Sequence, residues 1–158
     1  MKYDKINSEL FIKNRKNFVA KMKPNSVAFF NSNDIYPVSA DSTLPFEQQR
    51  DIFYLSGVDQ EESVLMLTTN SQNTKHKEVL FLKETSPHIA IWEGPKLDKE
   101  EAYETSGIET VLWLDEMEKT IEEAMLSCET IYYNHNEHYR AKVEVETREE
   151  RFNKWIEN

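Results

Sequence analysis

The densest group of side chains able to bind a metal ion is the run His135-Asn136-Glu137-His138. Two histidines three residues apart can share one face of a helix, with a carboxylate between them. Helix-borne zinc pairs, however, place the histidines four residues apart, with a glutamate directly after the first one. The run departs from that spacing, and a polar turn in which Asn134 or Asn136 caps a helix explains it better than a metal site does.

A cysteine and several paired carboxylates are the other candidate catalytic groups. Cys128, the only cysteine, could act as a nucleophile if a neighbouring base activated its thiol. It follows an apolar helical stripe and precedes a predicted strand, which is typical of a small buried residue. Adjacent carboxylates point in different directions on a helix and indicate solvated surface. Such pairs are Glu61-Glu62, Glu100-Glu101 and Glu122-Glu123. The sequence therefore predicts no catalytic residue and no metal ligand in this chain.

Glycine occurs only at positions 57, 94 and 107. A phosphate-binding loop needs closely spaced glycines so that backbone N–H groups can approach the phosphate oxygens. A nucleotide cofactor bound through a glycine-rich turn is therefore excluded.

The charge is concentrated in the second part of the chain. Residues 1–97 carry 12 acidic and 12 basic side chains, whereas residues 98–158 carry 17 acidic and 7 basic ones, which accounts for the net charge of -10. An acidic surface repels phosphate backbones, so we expect no nucleic-acid partner. The acidic residues are most simply the solvated faces of helices, although they would also suit a basic partner.

Length and composition predict one cytoplasmic domain that spans residues 1–158. The 158 residues are 39% hydrophobic and 30% charged, which suffices for a core without disulfide or metal staples. No apolar run approaches the roughly 20 residues of a membrane helix, and the first 25 residues lack the apolar stretch of a signal peptide. We therefore expect no contact with a membrane.

Short apolar runs predict buried strands. Runs of about four apolar residues, often β-branched or aromatic, are typical of strands that are covered on both faces. They occupy residues 27–30, 52–55, 64–67, 79–82, 111–114 and 131–133. The polar stretch 68–77 between two of them predicts a hairpin loop, so the middle strands are expected to be antiparallel.

Helices are predicted by periodic apolar residues and by capping pairs. They cover about residues 8–22, 98–107, 115–125 and 136–156. The two middle helices begin at the pairs Asp98/Glu101 and Asp115/Glu118, and Gly107 can end the first of them. Strands and helices in this order predict an α/β fold, with a mixed β-sheet of about six strands flanked by helices on both faces.

A polar and aromatic region is harder to explain as core. It comprises residues 41–46, residues 48–57 and the run Ile91-Trp92-Glu93-Gly94-Pro95. A Glu-Gly-Pro turn directly after a tryptophan predicts a loop with an exposed indole, and exposed tryptophans are frequent anchors at binding sites. The alternative, in which Trp92 folds back onto its own domain, is equally compatible with the sequence.

These same stretches resemble the N-terminal domain of the creatinase/prolidase superfamily, in its Xaa-Pro aminopeptidase branch. The resemblance covers about residues 9–135 and depends on the order and spacing of several short motifs. The motifs are Ser39-Ala40-Asp41, Pro45-Phe46, Gln48 with Asp51, Phe53-Tyr54-Leu55-Ser56-Gly57, Ser63-Val64-Leu65-Met66-Leu67, Val79-Leu80-Phe81, Ile91-Trp92-Glu93-Gly94 and Ala102 with Gly107-Ile108.

The resemblance implies a ribonuclease H-like arrangement that lacks the ribonuclease carboxylates. Members of the family carry a second, C-terminal pita-bread domain, in which Asp, His and Glu side chains hold a pair of divalent metal ions, commonly manganese, and cleave the bond before proline. That catalytic domain is absent from this chain, so the resemblance implies no cofactor here. The chain would be either a fragment of a longer enzyme or a free-standing relative of the domain.

The resemblance also implies partners and two residues near a substrate. The implied partners are the catalytic domain of the same polypeptide, further copies in a homo-oligomer, and peptides with proline at the second position. In the family, the Trp-bearing loop can lie over a neighbouring subunit's active site, which makes Trp92 a candidate substrate-facing wall. Asp41 is a candidate polar contact near the mouth of the site, although a turn-capping role beside Ser42 and Thr43 explains it equally well.

Two functions are therefore expected from different classes. The first is a non-catalytic N-terminal domain of a metal-dependent Xaa-Pro aminopeptidase that contributes to oligomer assembly and substrate access. The alternative is a stand-alone module of the same fold that binds proteins or peptides without peptidase activity. An independent enzyme is the least supported of the possibilities, because the residues group into no catalytic site.

Overall fold

Five strands form one mixed sheet at the centre of the computed structural model, which describes residues 5–69, 76–133 and 148–157. The strands are β1 (Ser26–Asn31), β4 (Ser63–Thr68), β5 (Glu78–Leu82), β6 (Thr110–Trp113) and β7 (Thr130–Tyr133), and a separate hairpin contains β2 (Pro37–Ser39) and β3 (Ser42–Thr43). Across the sheet the order is β6-β5-β4-β1-β7. Strand β4 is antiparallel to both of its neighbours, whereas β6 and β7 join the two edges in parallel. The predicted mixed sheet with antiparallel middle strands is confirmed.

Helices cover both faces of this sheet, as predicted. Within the described ranges they are α1 (Ser8–Val19), α2 (Arg50–Ser56), α3 (Pro87–Glu93), α4 (Lys99–Ser106), α5 (Met117–Leu126) and α6 (Arg148–Glu157). Helices α1, α2 and α4 pack on one face, in a core with Ala28, Leu65 and Leu80, and α5 packs on the other face with Met66 and Phe81. Successive strand residues point to opposite faces, so covering both faces buries most side chains of β1, β4 and β5, which are nearly continuous apolar runs. In the edge strand β7, Ile131 and Tyr133 are exposed.

The prediction of a strand at residues 52–55 is wrong, because this run forms helix α2. The side chain of Gln49 caps the start of the helix by accepting hydrogen bonds from the N–H groups of Asp51 and Ile52. Gly57 ends it with a φ of 72°. An apolar run of four residues is too short to show whether its period is two or 3.6, so the flanking cap and glycine decided the outcome.

The predicted start of the third helix at Asp115 is also wrong. A short 3-10 turn, Leu114–Glu116, precedes α5, and the Glu116 carboxylate accepts a hydrogen bond from the N–H of Trp113 at 3.4 Å. The predicted apolar stripe of α5 packs on the core at residues 117, 121 and 124, whereas Met125 is exposed. Of the predicted last helix, residues 136–147 lie outside the described residues and the remainder falls in α6.

Helix α1 is joined to the other helices of its face through Arg15, whose side chain is fully buried. The Arg15 Nη1 atom donates to the backbone carbonyls of Leu55, at 2.8 Å, and Ser106, at 2.9 Å. These carbonyls lie at the C-terminal ends of α2 and α4, where helix dipoles favour a positive charge. The Arg15 Nε atom donates to Glu78 of β5 at 2.8 Å, so one side chain connects three helices and the sheet.

Candidate functional site around Trp92

Trp92 lies in the last turn of helix α3, so its predicted placement in a loop is wrong, but its indole is 82% exposed. Ser86 caps the start of α3 by accepting a hydrogen bond from the N–H of Ile89 at 3.3 Å. Gly94 ends the helix with a φ of 82°, which turns the chain directly after Trp92. A backbone with this φ and an extended ψ is accessible almost only to glycine. We call residues 87–97 the Trp92 segment.

The Trp92 segment is joined to the loop that precedes β4, residues 59–62, which we call the anchor loop. Lys83 donates to Glu93 of the segment and to Glu62 of the anchor loop, each at 3.0 Å. These hydrogen bonds raise the pKa of the Lys83 ammonium above its usual value. Lys83 thereby places one positive charge between two carboxylates from different parts of the chain.

A second connection pairs Lys96 of the Trp92 segment with Glu61 of the anchor loop. Both side chains are largely withdrawn from water, with exposed fractions of 7% and 20%. Burial opposes ionisation of Glu61, but the hydrogen bond from Lys96 and the nearby positive charges outweigh it, so the pKa of Glu61 lies below its usual value. Next to this pair, the N–H of Leu97 donates to the side-chain oxygen of Gln60 at 2.8 Å.

The anchor loop is itself held by hydrogen bonds from Gln48. The Gln48 side-chain amide donates to the backbone carbonyls of Val58, at 3.1 Å, and Gln60, at 2.8 Å. The hydroxyl of Ser63 donates to the same Gln60 carbonyl at 2.8 Å. A continuous series of contacts therefore runs from Gln48 through the anchor loop to the residues that follow Trp92.

A groove of about 790 Å³ opens beside these contacts. Its lining is mixed, with apolar residues from α1 and from the chain that leads into α2, and charged residues from the anchor loop and the Trp92 segment. The lining includes Phe11, Pro45, Phe46, Gln60, Glu61, Glu93, Pro95, Lys96 and Leu97. Gln60 Nε2 is buried there without a hydrogen-bond partner among the described residues. The groove has the size of a site for a short peptide or a side chain of a partner.

The other predicted site residue, Asp41, lies in the turn between β2 and β3 and is exposed. It follows Ala40, whose φ is 49°. Neither Asp41 nor Trp92 lines the groove described above. The structure thus places the two predicted residues on separate exposed elements.

Of the histidine run and Cys128, the two other candidates for metal binding or nucleophilic catalysis, the structure describes only Cys128. The run His135-Asn136-Glu137-His138 lies outside the described residues. Cys128 is half-buried beside the α5 face of the core, and its thiol donates to the Met125 carbonyl at 3.4 Å. In residues 5–69, 76–133 and 148–157, no three His, Cys, Asp or Glu side chains are grouped as metal ligands.

No helix in these ranges is long and apolar enough to cross a membrane.

The pair between Lys96 and Glu61 should make the stability of the domain depend on pH. Because the pKa of folded Glu61 lies below its usual value of 4.5, the pair stabilises the fold above that value and the contribution is lost as the pH falls below it. Urea unfolding at about pH 7 and about pH 3 should therefore show a smaller acid-induced loss of stability for Glu61→Gln than for the wild type.

Glu104→Gln, which removes an exposed pair with Lys5, is the matched control for this measurement. It should lose as much stability in acid as the wild type does, because exposed pairs contribute little. An equal loss in Glu61→Gln and the wild type would contradict the stabilising role of the Lys96–Glu61 pair.

Comparison with known proteins assigns most of the chain, including the Trp92 segment, to one family. Residues 11–132 match the family model described as the N-terminal domain of aminopeptidase P. The Xaa-Pro aminopeptidase of Escherichia coli is 28% identical over 149 residues, which are 94% of this chain and 34% of that protein. Human Xaa-Pro aminopeptidase 3 is 26% identical over 105 residues, or 65% of this chain and 21% of that protein.

Solved structures show the same architecture. Escherichia coli aminopeptidase P, solved with the inhibitor Pro-Leu, superimposes with a TM-score of 0.74 at 26% identity, over 88% of this chain and 31% of that one. Aminopeptidase PepP of Pseudomonas aeruginosa has a TM-score of 0.76 at 22% identity, over 97% of this chain and 33% of that one. At this identity the similarity establishes a shared fold and nothing further. The chain thus spans about a third of the length of the Escherichia coli relative.

Proposed function

Because the chain belongs to the family of aminopeptidase P N-terminal domains, we propose that it is the non-catalytic domain of a metal-dependent Xaa-Pro aminopeptidase. In this proposal, a C-terminal catalytic domain removes the N-terminal residue that precedes proline. The present domain contributes to assembly of a homo-oligomer and shapes the entrance through which peptides reach the metal site. The relatives that are named Xaa-Pro aminopeptidase support the peptidase part of this proposal.

The observation that carries the proposal is the exposed indole of Trp92 on a helix without buried side chains. An indole offers a large, rigid and mostly apolar surface, and contact with it needs no catalytic group. Held over the entrance of an active site, it would favour short peptides that fit the narrowed space and would exclude bulk water around them. Trp92 is therefore proposed as the substrate-facing wall, and Asp41 as a polar contact near the same entrance.

The chemistry of cleavage is assigned to the catalytic domain in this proposal. Two divalent metal ions, with manganese as the expected metal, would be held there and would activate the attacking water. The described residues of the present chain offer no grouped ligands that fit such a pair of ions. Its own residues instead bind, orient and shield the peptide. The cytoplasm is the proposed location.

The experiment that tests this function uses a polypeptide that joins the present chain to a catalytic domain, either its own or that of the Escherichia coli relative. We expect the manganese-loaded polypeptide to cleave Xaa-Pro tripeptides and the 158-residue chain alone to be inactive. Trp92→Ala should raise KM for tripeptides about tenfold, the equivalent of about 1.4 kcal/mol of lost contact. The metal content measured by atomic absorption should stay unchanged.

Trp155→Ala is the matched control, because Trp155 is also strongly exposed, at 74%, but lies on α6. It should leave KM within about twofold of the wild type. An unchanged KM in Trp92→Ala would remove the substrate wall from the proposal, and peptidase activity of the 158-residue chain alone would overturn the non-catalytic assignment.

The groove beside the Trp92 segment favours a second candidate, a stand-alone module that binds peptides or proteins. Its mixed lining of aromatic, proline and charged residues is typical of a peptide site. Calorimetric titration of the 158-residue chain with proline-containing peptides distinguishes the candidates. Micromolar binding in the absence of any catalytic domain, together with a joined polypeptide that is inactive, would favour the module.

A further inference from the structure

Packing against the core contributes little to holding helix α3 in place. The helix has seven residues, of which none is buried and only Ile89 and Ala90 are half-buried. Its last two apolar side chains, Ile91 and Trp92, are 73% and 82% exposed. A helix this short is unstable in water unless tertiary contacts support it. The direction in which Trp92 points must therefore be set by contacts at the ends of the Trp92 segment.

The polar contacts that follow Trp92 reach the anchor loop, and the Leu97 side chain also packs against the core. Glu93 is bridged to Glu62 by Lys83, Lys96 is paired with Glu61, and the Leu97 backbone is bonded to Gln60. Two of the three connections are made by lysine side chains. They cross between parts of the chain that are more than twenty residues apart in sequence, so they form only when the tertiary fold is complete.

The two lysines differ in their contact with water. The side chain of Lys83 is 36% exposed, so its two pairs are screened by salt. The Lys96 side chain is only 7% exposed, so its pair with Glu61 is stronger and less sensitive to salt. Lys96 should therefore contribute more than Lys83 to holding the Trp92 segment.

We propose that Lys96 and, to a smaller extent, Lys83 are positioning residues that fix the exposed indole of Trp92 relative to the sheet. This inference rests on the proposed function, in which the indole forms a wall of the substrate entrance. A wall held before the peptide arrives costs less ordering upon binding than a mobile one does, so the two lysines improve peptide affinity without contacting the peptide.

Time-resolved fluorescence anisotropy of Trp92 tests the positioning directly. The 158-residue chain with Trp113→Phe and Trp155→Phe carries Trp92 as its only tryptophan. In this background, Lys96→Met should increase the amplitude of the fast nanosecond motion of the indole about twofold, with a smaller increase in Lys83→Met. Lys96→Arg should restore the wild-type amplitude, because a guanidinium can also pair with Glu61.

Added salt and a control variant show whether a freer Trp92 indole results from loss of a particular lysine pair or from a general destabilisation of the domain. About 0.5 M sodium chloride should reproduce the effect of Lys83→Met but not that of Lys96→Met. Lys5→Met breaks an exposed pair with Glu104 and should leave the anisotropy unchanged. If Lys96→Met fails to fold, Glu61→Gln removes the same pair from the other side and is measured in its place. An unchanged indole amplitude in Lys96→Met, or in Glu61→Gln where it is the substitute, would overturn the proposal.

Kinetics in the joined polypeptide keep the positioning role distinct from the proposed function. Lys96→Met should raise KM for tripeptides about threefold while kcat and metal content stay within about twofold. A freer indole in Lys96→Met, together with an unchanged KM in both Lys96→Met and Trp92→Ala, would overturn the substrate wall and leave the lysines as structural contacts. A raised KM in Trp92→Ala with an unchanged KM in Lys96→Met would overturn the positioning role alone.

Discussion

Replacing Arg15 by methionine is expected to lower the free energy of unfolding by about 3–5 kcal/mol, because it removes a buried guanidinium that donates to two buried backbone carbonyls. Methionine fills a similar volume but cannot donate to the carbonyls of Leu55 and Ser106, which lie in the interior. Each buried carbonyl left without a donor costs about 1–3 kcal/mol. The Arg15 Nη2 atom has no partner among the described residues, so the cost comes from the other two nitrogens.

Urea unfolding followed by circular dichroism measures this effect, and Glu78→Gln shows where it originates. The Glu78 side chain is 31% exposed and can turn to water, so its substitution should cost less than about 1 kcal/mol. A loss in Glu78→Gln as large as that in Arg15→Met would show that the ion pair, rather than the two helix ends, carries the stability. A loss below about 1 kcal/mol in Arg15→Met would contradict the role of Arg15 altogether.

Gly57→Ala is expected to destabilise the fold by about 3 kcal/mol through two additive effects. At a φ of 72°, a residue with a Cβ atom is strained by roughly 1–2 kcal/mol. The added Cβ would also lie 2.3 Å from Cε2 of the Phe11 ring, which is buried and has little room to move. Displacing a buried side chain typically costs about 1–3 kcal/mol.

Gly107→Ala is the matched control for this prediction. Gly107 ends α4 with a φ of 70°, so the backbone strain is the same, but its added Cβ would lie 2.6 Å from Cδ1 and 2.8 Å from Cγ1 of the half-buried, rotatable Ile12 side chain. A flexible tip can move aside, so the loss should be about 1–2 kcal/mol. In a Phe11→Ala background, Gly57→Ala should cost no more than this control. An unreduced cost in that background would contradict the steric part of the explanation.

The fold class followed from the sequence wherever a pattern was local and long enough. Apolar runs predicted β1, β4, β5, β6 and β7. In β1, β4 and β5 the reason is that side chains buried on both sheet faces leave a nearly continuous apolar stretch. The Asp98/Glu101 capping box and Gly107 predicted the limits of α4, since caps and left-handed turns use contacts within a few residues. The run at residues 52–55 failed because four residues cannot display a helical period.

Within the Trp92 segment and its contacts to the anchor loop, the sequence singled out only the most exposed residue, Trp92. The sequence alone placed Trp92 beside a Gly-Pro turn and left open whether the indole faced water. The contributions of Lys83, Lys96 and Gln60 had no local signal. Glu62, Glu61 and Leu97, their partners, lie more than twenty residues away in the sequence, and Glu93, the second partner of Lys83, lies in a different element.

Local chemistry thus determined which segments become strands and helices, whereas the tertiary structure decided which side chains from distant segments contact one another. A capping carboxylate or an apolar period acts between residues that are neighbours before folding. The buried guanidinium of Arg15, the ring of Phe11 over Gly57 and the Lys96–Glu61 pair acquire their energies only when distant segments exclude water from between them. The position of Trp92 depends on contacts of this second kind.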